Sequence, residues 1–155
     1  MQDLVTVLSN EDGIQISLDV QQDAVLQIGE MMQEIQEEAY MNGENWAVFF
    51  QYYLGKYAPN LLEGLESDSE AGMYVAYYDK VTPENHRKAM QLADLFNALL
   101  SHPEQIYQIL RTTEDEIEWN KKIWLDWKNR TARRQFRTVL FDFFTESIER
   151  EEQKL

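Results

Sequence analysis

The sequence predicts an α+β protein: a small, mainly antiparallel sheet packed by helices, with a C-terminal helical extension. Two observations carry that prediction. Short stretches near residues 4–8, 14–20 and 73–78 have strand character, while several longer stretches repeat their apolar residues every three or four positions. A third observation sets the boundary. Residues 1–119 hold 5 Lys/Arg against 22 Asp/Glu, whereas residues 120–155 hold 9 against 6. The acidic body reads as one domain and the basic, tryptophan-bearing remainder as an extension packed on it.

LVTVL at 4–8 opens the first strand. In the second, Ile14, Ile16, Leu18 and Val20 alternate with polar residues, the period of a half-buried strand. Asn10-Glu11-Asp12-Gly13 between them is a hairpin signal. The period then changes. Val25, Ile28, Met32, Ile35 and Ala39 form one helical stripe, which Asn42-Gly43 is expected to end, with glycine as a left-handed cap. A second helix is expected over roughly 45–57, with Trp46, Phe49, Phe50, Tyr53 and Tyr57 broadly on one side and Pro59 as its stop.

ESDSEAG at 66–72 reads as a loop and MYVAYY as the third strand. Thr82-Pro83-Glu84 is a strong helix start, and Ala89, Leu92, Ala93, Phe96, Leu99 and Leu100 carry that helix to Ser101. Ser101-His102-Pro103-Glu104 restarts a helix through a candidate capping box, with Ile106, Ile109 and Leu110 as its apolar face. EIEW at 116–119 is expected as a short fourth strand. Residues 132–150 read as an amphipathic helix bearing Phe136, Leu140, Phe143, Phe144 and Ile148.

Composition excludes several classes. At 155 residues with 44% hydrophobic content the chain can bury a core. No run of roughly 18 apolar residues spans a membrane. The N-terminal dozen residues lack a secretory pattern, and the chain has no cysteine, which fits a reducing cytoplasm. The net charge of −14 opposes nucleic-acid binding through the first 119 residues and favours steering toward a basic partner.

No constellation supports catalysis or a cofactor. His86 and His102 are the only imidazoles, and both sit at helix starts that suit exposed capping. No His/carboxylate pair has metal-ligand spacing, no serine has a nucleophile-elbow context, and no glycine-rich phosphate loop occurs. Residues 66–77 resemble a calcium loop only at their start: Tyr77 stands where the bidentate Glu should be.

Several longer segments together resemble the Imm51 family of bacterial immunity proteins over about residues 1–119. They are the Met41-Asn42-Gly43 turn followed by Asn45-Trp46, the helix ending FFQYYL, the run PNLLEGLESDSEAGMYVAYY, the TPEN start at Thr82, and DEIEW at 115–119. The resemblance implies a cytoplasmic, non-enzymatic protein that binds and neutralises a cognate toxin of a polymorphic toxin system. It implies no cofactor and no particular toxin, and it does not extend to residues 120–155.

Charge and loop position alone single out Glu66, Asp68, Glu70, Glu114, Asp115 and Glu118 as residues to meet a basic toxin surface and occlude it stoichiometrically. Tyr52 and Tyr53, adjacent in a helix, must diverge, as must Tyr77 and Tyr78, adjacent in a strand. Either both faces of the strand are covered, or some of these tyrosines reach the surface, where tyrosine is a favoured interface anchor. Two other readings stay open: an adaptor dimerising through 132–150, and a nucleic-acid-binding regulator acting through 121–137, where seven Lys/Arg meet one acid, Asp126, among Trp124, Trp127 and Phe136.

Overall fold

In a computed structural model the described residues are 3–120. The C-terminal helical extension, the basic run 121–137 and the dimerising helix 132–150 lie outside them. Four strands form one antiparallel sheet: β1 (Val5–Asn10), β2 (Gly13–Asp19), β3 (Leu65–Ser67) and β4 (Met73–Tyr78), in the order β1-β2-β4-β3. Five helices are interleaved: α1 (Asp23–Ile35), α2 (Gly43–Tyr57), α3 (Pro59–Leu62), α4 (Pro83–Ser101) and α5 (Pro103–Thr112). The predicted α+β class is the observed one. No helix among the described residues is long and apolar enough to cross a membrane.

The alternation in β2 works as the sequence implies. Ile14, Ile16 and Leu18 are fully buried and stand in register with Tyr78, Ala76 and Tyr74 of β4. Helices α2 and α4 pack on that face. Its centre is aromatic: Phe50 of α2 stacks on Phe96 of α4 with ring centroids 3.7 Å apart, and Tyr74 meets both rings edge-on. The other face carries Thr6, Leu8, Gln15, Ser17, Met73, Val75 and Tyr77, none of them buried.

Three expectations are corrected. First, Asn42-Gly43 starts α2 rather than ending α1. Asn42 is its N-cap and accepts the Asn45 amide at 2.9 Å. Glycine is required at 43 by close approach, since a Cβ there would overlap the carbonyl oxygens of Glu70 and Met73. Helix α1 stops at Ile35 because Gln36 is held extended by tertiary contacts: its amide donates to Leu110 O at 2.9 Å and accepts Trp119 Nε1 at 2.8 Å. Second, residues 116–119 form no strand. The fourth strand is β3, which begins at Leu65 and takes in the first two residues of the segment expected to be a loop. Ile117 and Trp119 are still buried, as their spacing suggested, and belong to the hydrophobic core. Third, Ser101 does not cap α5. Its hydroxyl donates to Asn97 O at 2.7 Å, and the N-cap of α5 is His102, which makes no side-chain cap bond. Pro59, besides closing α2, opens the short α3. The Thr82 start of α4 is as predicted, with Thr82 Oγ1 accepting the Asn85 amide at 3.0 Å.

The buried tyrosines impose an alkaline limit. Burial pushes the Tyr78 phenol up to about 12, while its hydroxyl donates to Leu61 O at 2.6 Å. Burial, and secondarily Tyr78, holds Tyr74 well above its ordinary value. Below the unfolded-state value near 10 both states keep the proton and stability is whole. Above it the unfolded chain ionises first, and stability falls by roughly 1.4 kcal/mol per pH unit for each such tyrosine. Urea melts between about pH 9 and pH 12 should therefore show a steep loss above pH 10, shallower in Tyr78→Phe. A flat profile would contradict this packing.

Candidate functional site

The β3–β4 loop is short and pinned by its own backbone. Asp68 N donates to Val75 O at 3.0 Å, Glu70 N to Met73 O at 2.9 Å, and Ser69 Oγ accepts Val75 N at 3.0 Å. Gly43 N donates to Ala71 O at 2.9 Å, so the first turn of α2 anchors the loop tip. On this rigid frame Glu66, Asp68 and Glu70 are exposed, and the Asp68 and Glu70 carboxylates have no partner among the described residues. Fixed carboxylates on a rigid loop suit charge-assisted contact with Lys or Arg across an interface, because little side-chain and loop ordering remains to be done on binding.

The tyrosine pair of β4 diverges as expected. Tyr78 enters the core, and Tyr77 stands on the open face directly across from Glu66. A hydrogen bond to the Glu66 carboxylate, and then that group's charge, hold the Tyr77 proton above its ordinary range. Tyr77 thereby joins the acidic loop to the open sheet face. Adjacency in a strand required the two tyrosines to diverge, but which of them stays outside the core depends on the sheet register.

The second acidic group lies on the turn after α5. Glu114, Asp115 and Glu118 are exposed, and Asp115 takes a left-handed backbone (φ 66°), which aspartate tolerates better than most residues. Their neighbour Glu116 is committed internally. It accepts Tyr52 Oη at 2.6 Å and Lys56 Nζ at 3.2 Å, and these two hydrogen bonds hold its carboxyl below the ordinary range. Tyr52 is thus a tether to this turn, while Tyr53 leans on Phe49 and Tyr57 is exposed. The turn is fixed further by Asn120 N donating to Asn45 Oδ1 at 2.8 Å. Both acidic groups are therefore fastened to α2, one through Gly43 and the other through Asn45, Tyr52 and Lys56.

Beside β3 lies a cavity of about 270 Å³ between α2 and the sheet. Leu54, Tyr74 and Ala76 are its buried wall, and Gln51 and Ser67 stand exposed at its mouth. Nothing in the sequence marked it, because its lining comes from separate elements, α2, the stretch from Leu62 to Ser67, and β4. Among the described residues no group of three or more His, Asp or Glu side chains is placed to hold a metal ion, and His86 and His102 are both exposed.

Comparison with curated proteins gives no match, and neither does comparison with solved structures. The model of the family described as Immunity protein 51 matches residues 5–115, which takes in all four strands, all five helices and the loop bearing Glu66, Asp68 and Glu70. On that match, which spans well over half its length, this chain belongs to the Imm51 family of immunity proteins.

Proposed function

We propose that this protein neutralises a cognate toxin of a polymorphic toxin system in the cytoplasm by stoichiometric occlusion, without chemistry of its own. Residues 1–119 are the toxin-binding unit. The acidic loop carrying Glu66, Asp68 and Glu70, with Tyr77 beside it, covers a basic site on the toxin. Glu114, Asp115 and Glu118 contribute a second acidic contact. The observation carrying this reading is the pair of unpartnered carboxylates, Asp68 and Glu70, on a backbone-pinned loop. The two ion pairs between described residues, Lys56–Glu116 and Arg111–Glu104, leave that acidity unneutralised. An acidic field of this kind raises association rates and rejects acidic partners.

The test uses the toxin domain encoded beside the gene. Replacing Glu66, Asp68 and Glu70 together by lysine should weaken association on the order of 100-fold, mostly through a slower on-rate. Association of the unaltered chain should also slow clearly between about 0.05 and 0.5 M salt, as screening shortens the reach of the charges. Unchanged affinity in the triple variant, together with a flat salt response, would remove the acidic contact.

A further inference from the structure

The two edges of the sheet are treated differently. At the β1 edge, the Asn97 side chain of α4 accepts Leu4 N at 2.9 Å and Val5 N at 2.8 Å, and donates to Val5 O at 3.2 Å. The main-chain groups at the start of that edge, which would otherwise template another strand, are capped there. At the β3 edge no such cap occurs among the described residues. The bond from Asp68 N to Val75 O fixes the alternation: Glu66 and Asp68 bond to β4, and the main-chain groups of Leu65 and Ser67 point away from it. Leu65, Glu66 and Ser67 of this edge strand all border the cavity between α2 and the sheet. A free edge and a cavity with an apolar wall of Leu54, Tyr74 and Ala76 and a polar mouth thus open side by side.

We infer that the β3 edge and this cavity form the anchor site for one extended segment of the toxin, which adds as a fifth strand beside Leu65–Ser67 and places an apolar side chain between Leu54, Tyr74 and Ala76. This rests on the toxin-binding reading above and names the site's geometry. The added strand takes its main-chain bonds from Leu65 and Ser67, and the pocket reads one side chain, the usual division in strand addition. Its next residues face the opposite side of the sheet, where Glu66 and Asp68 select lysine or arginine. At about 270 Å³ the hole suits a leucine-, methionine- or phenylalanine-sized group, and it is smaller than the roughly 300–1,000 Å³ of pockets for drug-sized ligands. A second copy of this chain is a poor occupant. It would bring Glu66 and Asp68 against their own equivalents, between bodies that each carry 5 basic and 22 acidic residues over positions 1–119.

The experiment uses the full chain and the toxin domain encoded beside its gene. Amide hydrogen exchange at Leu65 and Ser67 should slow at least 10-fold on complex formation. Ser67→Pro removes an outward-facing N–H, which an edge strand tolerates, and Ala47→Phe fills the cavity from α2. Each variant should keep the far-ultraviolet spectrum and bind the toxin at least 10-fold more weakly. If the unaltered chain binds while the Leu65 and Ser67 amides exchange as freely as before and both variants bind normally, edge addition is overturned and toxin binding stands. If the unaltered chain does not bind at all, the underlying reading falls and this one falls with it.

Discussion

Phe96→Ala is expected to destabilise the protein by about 4 kcal/mol, the range for truncating a fully buried aromatic side chain. Phe96 is the point where three elements meet. Its ring stacks on Phe50 of α2 at 3.7 Å and 13°, and faces the edge of Tyr74 of β4 at 5.9 Å, while its own helix lies along β1 and β2. Removing it leaves a void that neighbours on both α2 and the sheet would have to close, and α2 is fastened at both acidic groups. Collapse is therefore restricted and the cost sits high in the usual range. Against a typical total of about 5–15 kcal/mol this is a large share. Denaturant melts should show a lower midpoint with an unchanged slope. A loss below about 1 kcal/mol would mean that the aromatic stack does not hold the two layers together.

Asn45→Ala is the second large effect, expected at about 3 kcal/mol. Asn45 is fully buried and polar, a combination that survives only with its hydrogen bonds made. Its Nδ2 donates to Tyr40 O at 2.8 Å and its Oδ1 accepts Asn120 N at 2.8 Å. One side chain thus ties the connection before α2 to the stretch that follows α5. Alanine breaks both bonds at a site closed to water. Asn45→Asp keeps the acceptor for Asn120 but loses the donor to Tyr40 and buries a charge, so it should be no better. Faster amide exchange at Asn120 in Asn45→Ala, alongside the lower midpoint, would locate the damage. Unaltered exchange there would contradict the tethering role.

The parts of this fold legible in the sequence are those set by local chemistry. The β1–β2 hairpin, the alternating face of β2, the Thr82-Pro83 start and the α4 stripe all follow from turn residues and periodicity, and each is where the pattern puts it. The misreadings come where distant contacts override local signals, where one residue type serves two local roles, or where an element is too short to show its period. The stripe of α1 runs on to Ala39, which is indeed buried, yet the helix ends at Ile35 because Gln36 is taken by Leu110 and Trp119. Asn42-Gly43 has the composition of a helix end, but an asparagine also caps helix starts, and the glycine answers to the β3–β4 loop pressing on it. Strand β3 is three residues long, too short to show a period. Of the acidic candidates, the exposure of all six was readable from loop position. That Glu116, which stands between Asp115 and Glu118 in the sequence, is spent on Tyr52 and Lys56, and that Tyr77 stands across from Glu66, depends on register and helix phase.

The central claim is occlusion by a partner that performs no reaction, and titration of toxin activity tests it most directly. The purified toxin domain encoded beside the gene is mixed with increasing amounts of this protein, and residual toxin activity is followed together with complex formation by size. The account predicts a linear fall in activity that ends at one equivalent, with toxin and protein recovered unmodified in a stable complex. Full toxin activity in the presence of excess protein with no complex, or complete inactivation by a small fraction of an equivalent, would contradict it.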